Sequence, residues 1–152
     1  METLDRSKPR QKAMTFKTST TWTGGRSGTL CSEGKPPMQI STPVEFKGEN
    51  GHWTPEDMFV AAVEVCHMAT FMAYASHKKL PILSYRSHAN GVLEYVEGEY
   101  RFTRIVIFPT ITIANSTVES DVHAILKEAQ KHCLVANSIA SIVEVNPTIM
   151  VE

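Results

Sequence analysis

Cys66 and Cys133 are the residues of this 152-residue chain most able to do chemistry. They lie in two segments of helical spacing, Val63-Glu64-Val65-Cys66-His67-Met68 and Lys131-His132-Cys133-Leu134-Val135-Ala136. Thiol redox chemistry needs a thiolate that attacks, a cation that holds it and a second thiol that resolves the oxidised product. Cys66, Arg26 and Cys133 are available for those roles, with Arg26 in the turn Gly24-Gly25-Arg26-Ser27-Gly28. Taken singly, each cysteine reads more readily as a small core residue on an apolar helix face. The third, Cys31, falls on a short predicted strand and reads as a bystander.

The elements that must position these residues follow from pattern. Residues 14–22 alternate and are rich in threonine, as a strand would be. Two further short strands are expected at 29–32 and 38–41, making a small antiparallel meander. Thr54 stands where a helix cap would, with Pro55 at the first helical position and Asp57 at the capping-box position. The helix should run to about residue 76. Met58, Phe59, Ala62, Val63, Cys66, Ala69, Thr70, Met72 and Ala73 fall on one broad apolar face. Strands are then expected at 84–90, 92–96 and 100–113. In the last, Ile105, Ile107, Ile111 and Ile113 share one parity, so one face is buried. A second helix should begin near Ser116 or Thr117. Val118, Val122, Ile125, Ala129 and Cys133 step along it by three and four, which places Cys133 on its buried stripe or just past its end. Residues 138–144 are ambiguous, and 146–151 read as a final strand. Strands, helix, strands, helix, strand is an α+β order. Residues 1–13 read as a flexible lead-in to a single domain at 14–152.

The composition narrows function. Fifteen basic and 16 acidic residues give a net charge of −1. No basic stripe points to nucleic acid. No apolar run is expected to span a bilayer, and the polar N-terminus lacks the apolar core of a signal peptide. Those features imply a cytoplasmic protein, where a structural disulfide is not expected.

Four segments together resemble one family. They are Thr23-Gly24-Gly25-Arg26-Ser27-Gly28, Thr54-Pro55-Glu56-Asp57-Met58-Phe59 running on to Cys66, Cys133-Leu134-Val135-Ala136-Asn137-Ser138-Ile139, and Val145-Asn146-Pro147-Thr148-Ile149. In order and separation they resemble the OsmC/Ohr proteins, the osmotically inducible and organic hydroperoxide resistance proteins. The tail around Asn137 resembles the broader OsmC-like branch. The resemblance implies an interlocked homodimer, with two central helices packed against antiparallel sheets and active sites at the interface. It implies that Cys66 is the peroxidatic cysteine and Cys133 the resolving one. Arg26 would polarise the peroxide and hold the thiolate, and Glu56 would orient Arg26. No cofactor is implied, only an external dithiol reductant, for which the resemblance suggests a lipoyl type. Two positions differ from the family pattern: His67 follows the first cysteine where an apolar residue is common, and Leu134 follows the second where proline is common.

Helix geometry bears on Glu56. Ten residues separate it from Cys66, about 15 Å along the axis and roughly 80° around it. Glu56 therefore cannot serve Cys66 of its own chain directly. Either it completes a partner's site, as the resemblance implies, or it is a first-turn carboxylate favoured by the helix dipole. Two other functions compete with the peroxidase. One is a non-enzymatic dimeric binding or structural protein of the same fold, with inert cysteines. The other is a zinc site from Cys66, His67, His132 and Cys133, which adjacent helical positions make awkward because neighbours project about 100° apart.

Overall fold

The computed structural model describes residues 13–152. All but the last residue of the expected lead-in lie outside them. The described residues fall into two compact units, divided between Thr54 and Pro55.

The first unit is an antiparallel meander of β1 (Ser19–Gly24), β2 (Ser27–Cys31) and β3 (Met38–Ser41). β1 starts later than the threonine-rich run predicts and extends to the glycines. Gly24 pairs with Ser27, so only Gly25 and Arg26 form the turn. Gly25 has φ 54, a conformation that glycine adopts freely at the first central position of a two-residue hairpin. Trp22 Nε1 donates to the Gly25 carbonyl at 3.0 Å and braces the turn.

The second unit holds two helices on a mixed sheet. α1 spans Pro55–His77 and α2 spans Glu119–His132. β4 (Ile82–Val96) and β5 (Glu99–Ile113) form a long antiparallel hairpin. β6 (Ile142–Val145) and β7 (Thr148–Val151) both pair parallel with β5, along residues 104–107 and 110–113. The sheet is therefore not purely antiparallel, as expected from sequence. The final strand expected at 146–151 begins only at Thr148, since Pro147 carries no N–H for a ladder, and the ambiguous segment 138–144 supplies most of β6. The shared parity of Ile105, Ile107, Ile111 and Ile113 holds, and all four are fully buried. Each contributes roughly 1.5–3 kcal/mol by burial. The N-terminal pair packs with Val63, and the C-terminal pair with Phe71, Ala75, Val122, Ile125, Leu126 and Ala129. One face of β5 thus carries both helices.

The break expected between residues 90 and 92 is absent. β4 runs straight through Gly91, because the missing side chain serves a close approach rather than a turn. A Cβ there would lie 2.4 Å from Val60 Cγ2 and 2.9 Å from Phe102 Cε1. The Phe102 ring has little room to yield, since it stacks on Phe59 at 4.8 Å. Gly91→Ala is expected to cost about 1–3 kcal/mol by overpacking. A shifted midpoint in urea denaturation, at unchanged slope, would measure it.

α1 differs from expectation in two ways. Its buried stripe is Val63, His67, Phe71 and Ala75, so His67 takes a core position. The helix is also long and apolar enough to cross a membrane by length and composition, which the sequence reading did not anticipate. Its stripe packs on the sheet, and Glu64 accepts a 2.6 Å hydrogen bond from Ser87. These contacts are those of a core helix, which passes the same test.

Candidate active site

Cys66 projects from α1 beside the His67 stripe, rotated about 100° from it. It is partly buried. With Ala69, Thr70, Ala73 and Tyr74, one and two turns further on, it lines a cavity of about 450 Å³. The opposite wall is His132 and Leu134, which flank Cys133. Small residues at 69 and 73 leave the space, and the thiol opens into it.

α2 delivers Cys133. Its buried residues Val122, Leu126 and Ala129 step down one face, and Cys133 follows at the same spacing as the residue that ends the helix. Its backbone is extended there, with φ −68 and ψ 105. It is only 2% exposed. Burial, first, pushes its thiol up from the usual range, and the side-chain hydrogen bond and charge of Cys66 push the same way. Backbone N–H groups of Ala136 and Val135 oppose this by hydrogen bonding to the sulfur. Both thiols are free, and Cys66 is close enough to Cys133 to act on it by hydrogen bond and charge. The two cysteines singled out in the sequence are thus brought together, far apart as they are in the chain.

Arg26 stands exposed at the tip of the β1–β2 hairpin. Its turn is anchored from below. Ser41 Oγ donates to the Arg26 carbonyl at 3.3 Å and accepts from the Glu49 N–H at 2.9 Å. Ser27 Oγ donates to the Glu49 carboxylate at 2.7 Å and lies 3.1 Å from Ser41 Oγ. Arg26, Ser27, Lys47 and Glu49 line a cleft of about 290 Å³. The backbone of Arg26 is held by Ser41 while the residue stays exposed.

Glu56 lies in the first turn of α1. Its Oε2 is buried and has no hydrogen-bond partner among the described residues. A buried carboxylate oxygen without a donor is costly. The four candidate zinc ligands do not converge. His67 is buried in the core stripe, and His132 lines the cavity. Among the described residues, no three His, Cys, Asp or Glu side chains cluster as metal ligands would.

The pattern of the OsmC-like protein family matches residues 48–148, which includes both cysteines and Glu56. The chain belongs to the OsmC-like family. Solved structures agree on the fold. An OsmC-like protein of unknown function from Vibrio cholerae superposes with a TM-score of 0.81 at 21% identity, over 89% of this chain and 99% of that one. An organic hydroperoxide resistance protein from Legionella pneumophila gives 0.72 at 22%, over 93% and 100%. Another from Elizabethkingia anophelis gives 0.73 at 20%, over 94% and 100%. Among curated proteins, none matches. These identities establish an OsmC-like fold and leave the chemistry to the site itself.

Sequence reasoning missed one part of that site. His132 entered only as a zinc ligand, and Tyr74 not at all. Their rings pair at 6.2 Å. The signal for Tyr74 was its place two turns beyond Cys66, on the same side of α1.

Proposed function

We propose that this OsmC-like protein is a thiol peroxidase that reduces organic hydroperoxides. The observation that carries the reading is the neighbouring Cys66–Cys133 pair, with one thiol lining an apolar cavity and the other buried. The Cys66 thiolate attacks the distal peroxide oxygen. The O–O bond breaks, an alcohol leaves with a proton, and Cys66 becomes a sulfenic acid. The Cys133 thiol condenses with it, releasing water and forming a disulfide. An external dithiol of lipoyl type then reduces the bridge, and no cofactor takes part.

Arg26 holds the thiolate and the developing oxyanion. Glu56 orients that arginine, and its unpartnered buried oxygen supports the role. Because Glu56 cannot serve Cys66 of its own helix, Arg26 and Glu56 complete the site of a second copy. The homodimer has a further support. Val65, Met68 and Met72, on a third side of α1, are exposed in the single chain. A helix that is apolar all round is a buried helix, and a second α1 would cover that side.

The test is titration of the reduced protein with cumene hydroperoxide, followed by intact mass and peptide mapping. Loss of two hydrogens per chain, mapped to a Cys66–Cys133 bridge, is expected. Unchanged mass with both thiols intact would favour the reading that burial has made this pair inert, in a dimeric protein with a binding or structural role.

A further inference from the structure

The cavity that exposes Cys66 also exposes an imidazole. His132 is half-exposed on the cavity wall, and its Nε2 lies 3.4 Å from Glu128 Oε2, one turn back on α2. The Tyr74 ring packs beside it from α1. The carboxylate stands within ion-pair range of one ring nitrogen, which biases the ring's orientation and leaves the other nitrogen for proton exchange. Nothing in the oxidation of Cys66 needs this pair. Reduction of the disulfide does.

A disulfide is reduced by in-line attack of a thiolate on one sulfur while the other leaves. Burial decides which is which. Cys133 is 2% exposed, whereas Cys66 opens into the cavity. An external dithiol therefore reaches Cys66, and Cys133 is the leaving group. Cys133 leaves into a buried site that disfavours its anion, as the raised thiol states. A poor leaving thiolate slows exchange unless a proton meets it. The incoming thiol must also lose a proton before it attacks.

We propose that His132, oriented by Glu128, moves that proton during reduction of the Cys66–Cys133 disulfide. The imidazole accepts the proton of the incoming dithiol. The resulting thiolate attacks Cys66 Sγ, forming a mixed disulfide as the Cys66–Cys133 bond breaks. The bonding electron pair goes to Cys133 Sγ, which takes the proton from the His132 imidazolium. One thiol proton has crossed the cavity, and His132 is returned neutral. The second dithiol sulfur then closes on the first and frees Cys66.

The proposal rests on the peroxidase reading only for the source of the disulfide, so the experiment forms the bridge independently. Protein oxidised with diamide is checked by mass for the Cys66–Cys133 bridge, mixed with dihydrolipoamide and acid-quenched, and thiols are counted over time. His132→Ala and His132→Gln are expected to slow reduction about a hundredfold, the low end for a general acid–base group. Added imidazole should restore much of the rate in the alanine variant, where the ring's space is vacant, and less in the glutamine variant. Glu128→Gln should slow reduction by a smaller factor. Wild-type rates in both His132 variants, or a slowing that imidazole does not relieve, would overturn the proposal. A bridge that forms with diamide but not with hydroperoxide would remove the peroxidase reading while leaving the exchange step measurable. A bridge that forms with neither would remove both.

Discussion

A Cys66→Ser variant is expected to consume organic hydroperoxide no faster than buffer, a loss of at least about a thousandfold, because an alkoxide is not available at neutral pH to replace the thiolate. Cys133→Ser is expected to behave differently. It retains the attacking thiol and the cavity, so it should reduce one equivalent of peroxide and stop. The product should be a sulfenic acid on Cys66, trapped by dimedone as a single adduct. The asymmetry follows from position. Cys66 lines the cavity, while Cys133 is buried and meets only what Cys66 brings to it. Full turnover by Cys66→Ser would move the chemistry to another residue. Two symmetric half-activities would mean that the burial difference does not operate in solution. Cys31, exposed at the end of β2, is the internal control, and its substitution should change neither result.

The placement of the two cysteines was legible in the sequence because it depends on residue type and helical spacing. Cys133 falls where the Val122, Leu126 and Ala129 stripe leads, and the stripe can be counted off without coordinates. The buried parity of β5 was legible for the same reason. What the sequence hid were features made by three-dimensional approach. Gly91 carries the same signal whether it ends a strand or admits Val60 and Phe102, and only the approach of α1 decides between them. The parallel strands β6 and β7 are short, and their direction depends on where α2 returns the chain rather than on their residues. α1 resisted reading because it is apolar on three sides. Periodicity reports one buried face, whereas this helix has a core side, a cavity side and an exposed apolar side, at 63/67/71/75, 66/69/70/73 and 65/68/72. A histidine inside such a pattern is naturally assigned to the polar class, so the sequence offers His67 as a departure from the family pattern and a candidate zinc ligand, and not as a core residue.

His67 is instead the clearest source of pH-dependent stability in the fold. It is 1% exposed, and neither ring nitrogen has a hydrogen-bond partner among the described residues. Burial holds its pKa below the ordinary histidine value. The unfolded chain therefore takes up a proton as pH drops below about 6.5, while the folded chain still resists it. Stability is full above that point and is lost as pH falls toward the folded value, by at most about 1.4 kcal/mol per pH unit for one proton. His67→Leu should change both the level and the slope. Leucine can fill the position between Val63 and Phe71 and leaves no orphaned nitrogen, and relieving a buried unsatisfied group is worth about 1–3 kcal/mol at neutral pH. Its advantage over the parent should then widen from pH 7.5 to pH 5, because only the parent carries the histidine proton. Denaturant titrations of both proteins at the two pH values would measure this. Parallel pH slopes would show that the imidazole is solvated in solution, and a leucine variant less stable at both values would mean that the ring fills a shape that leucine cannot.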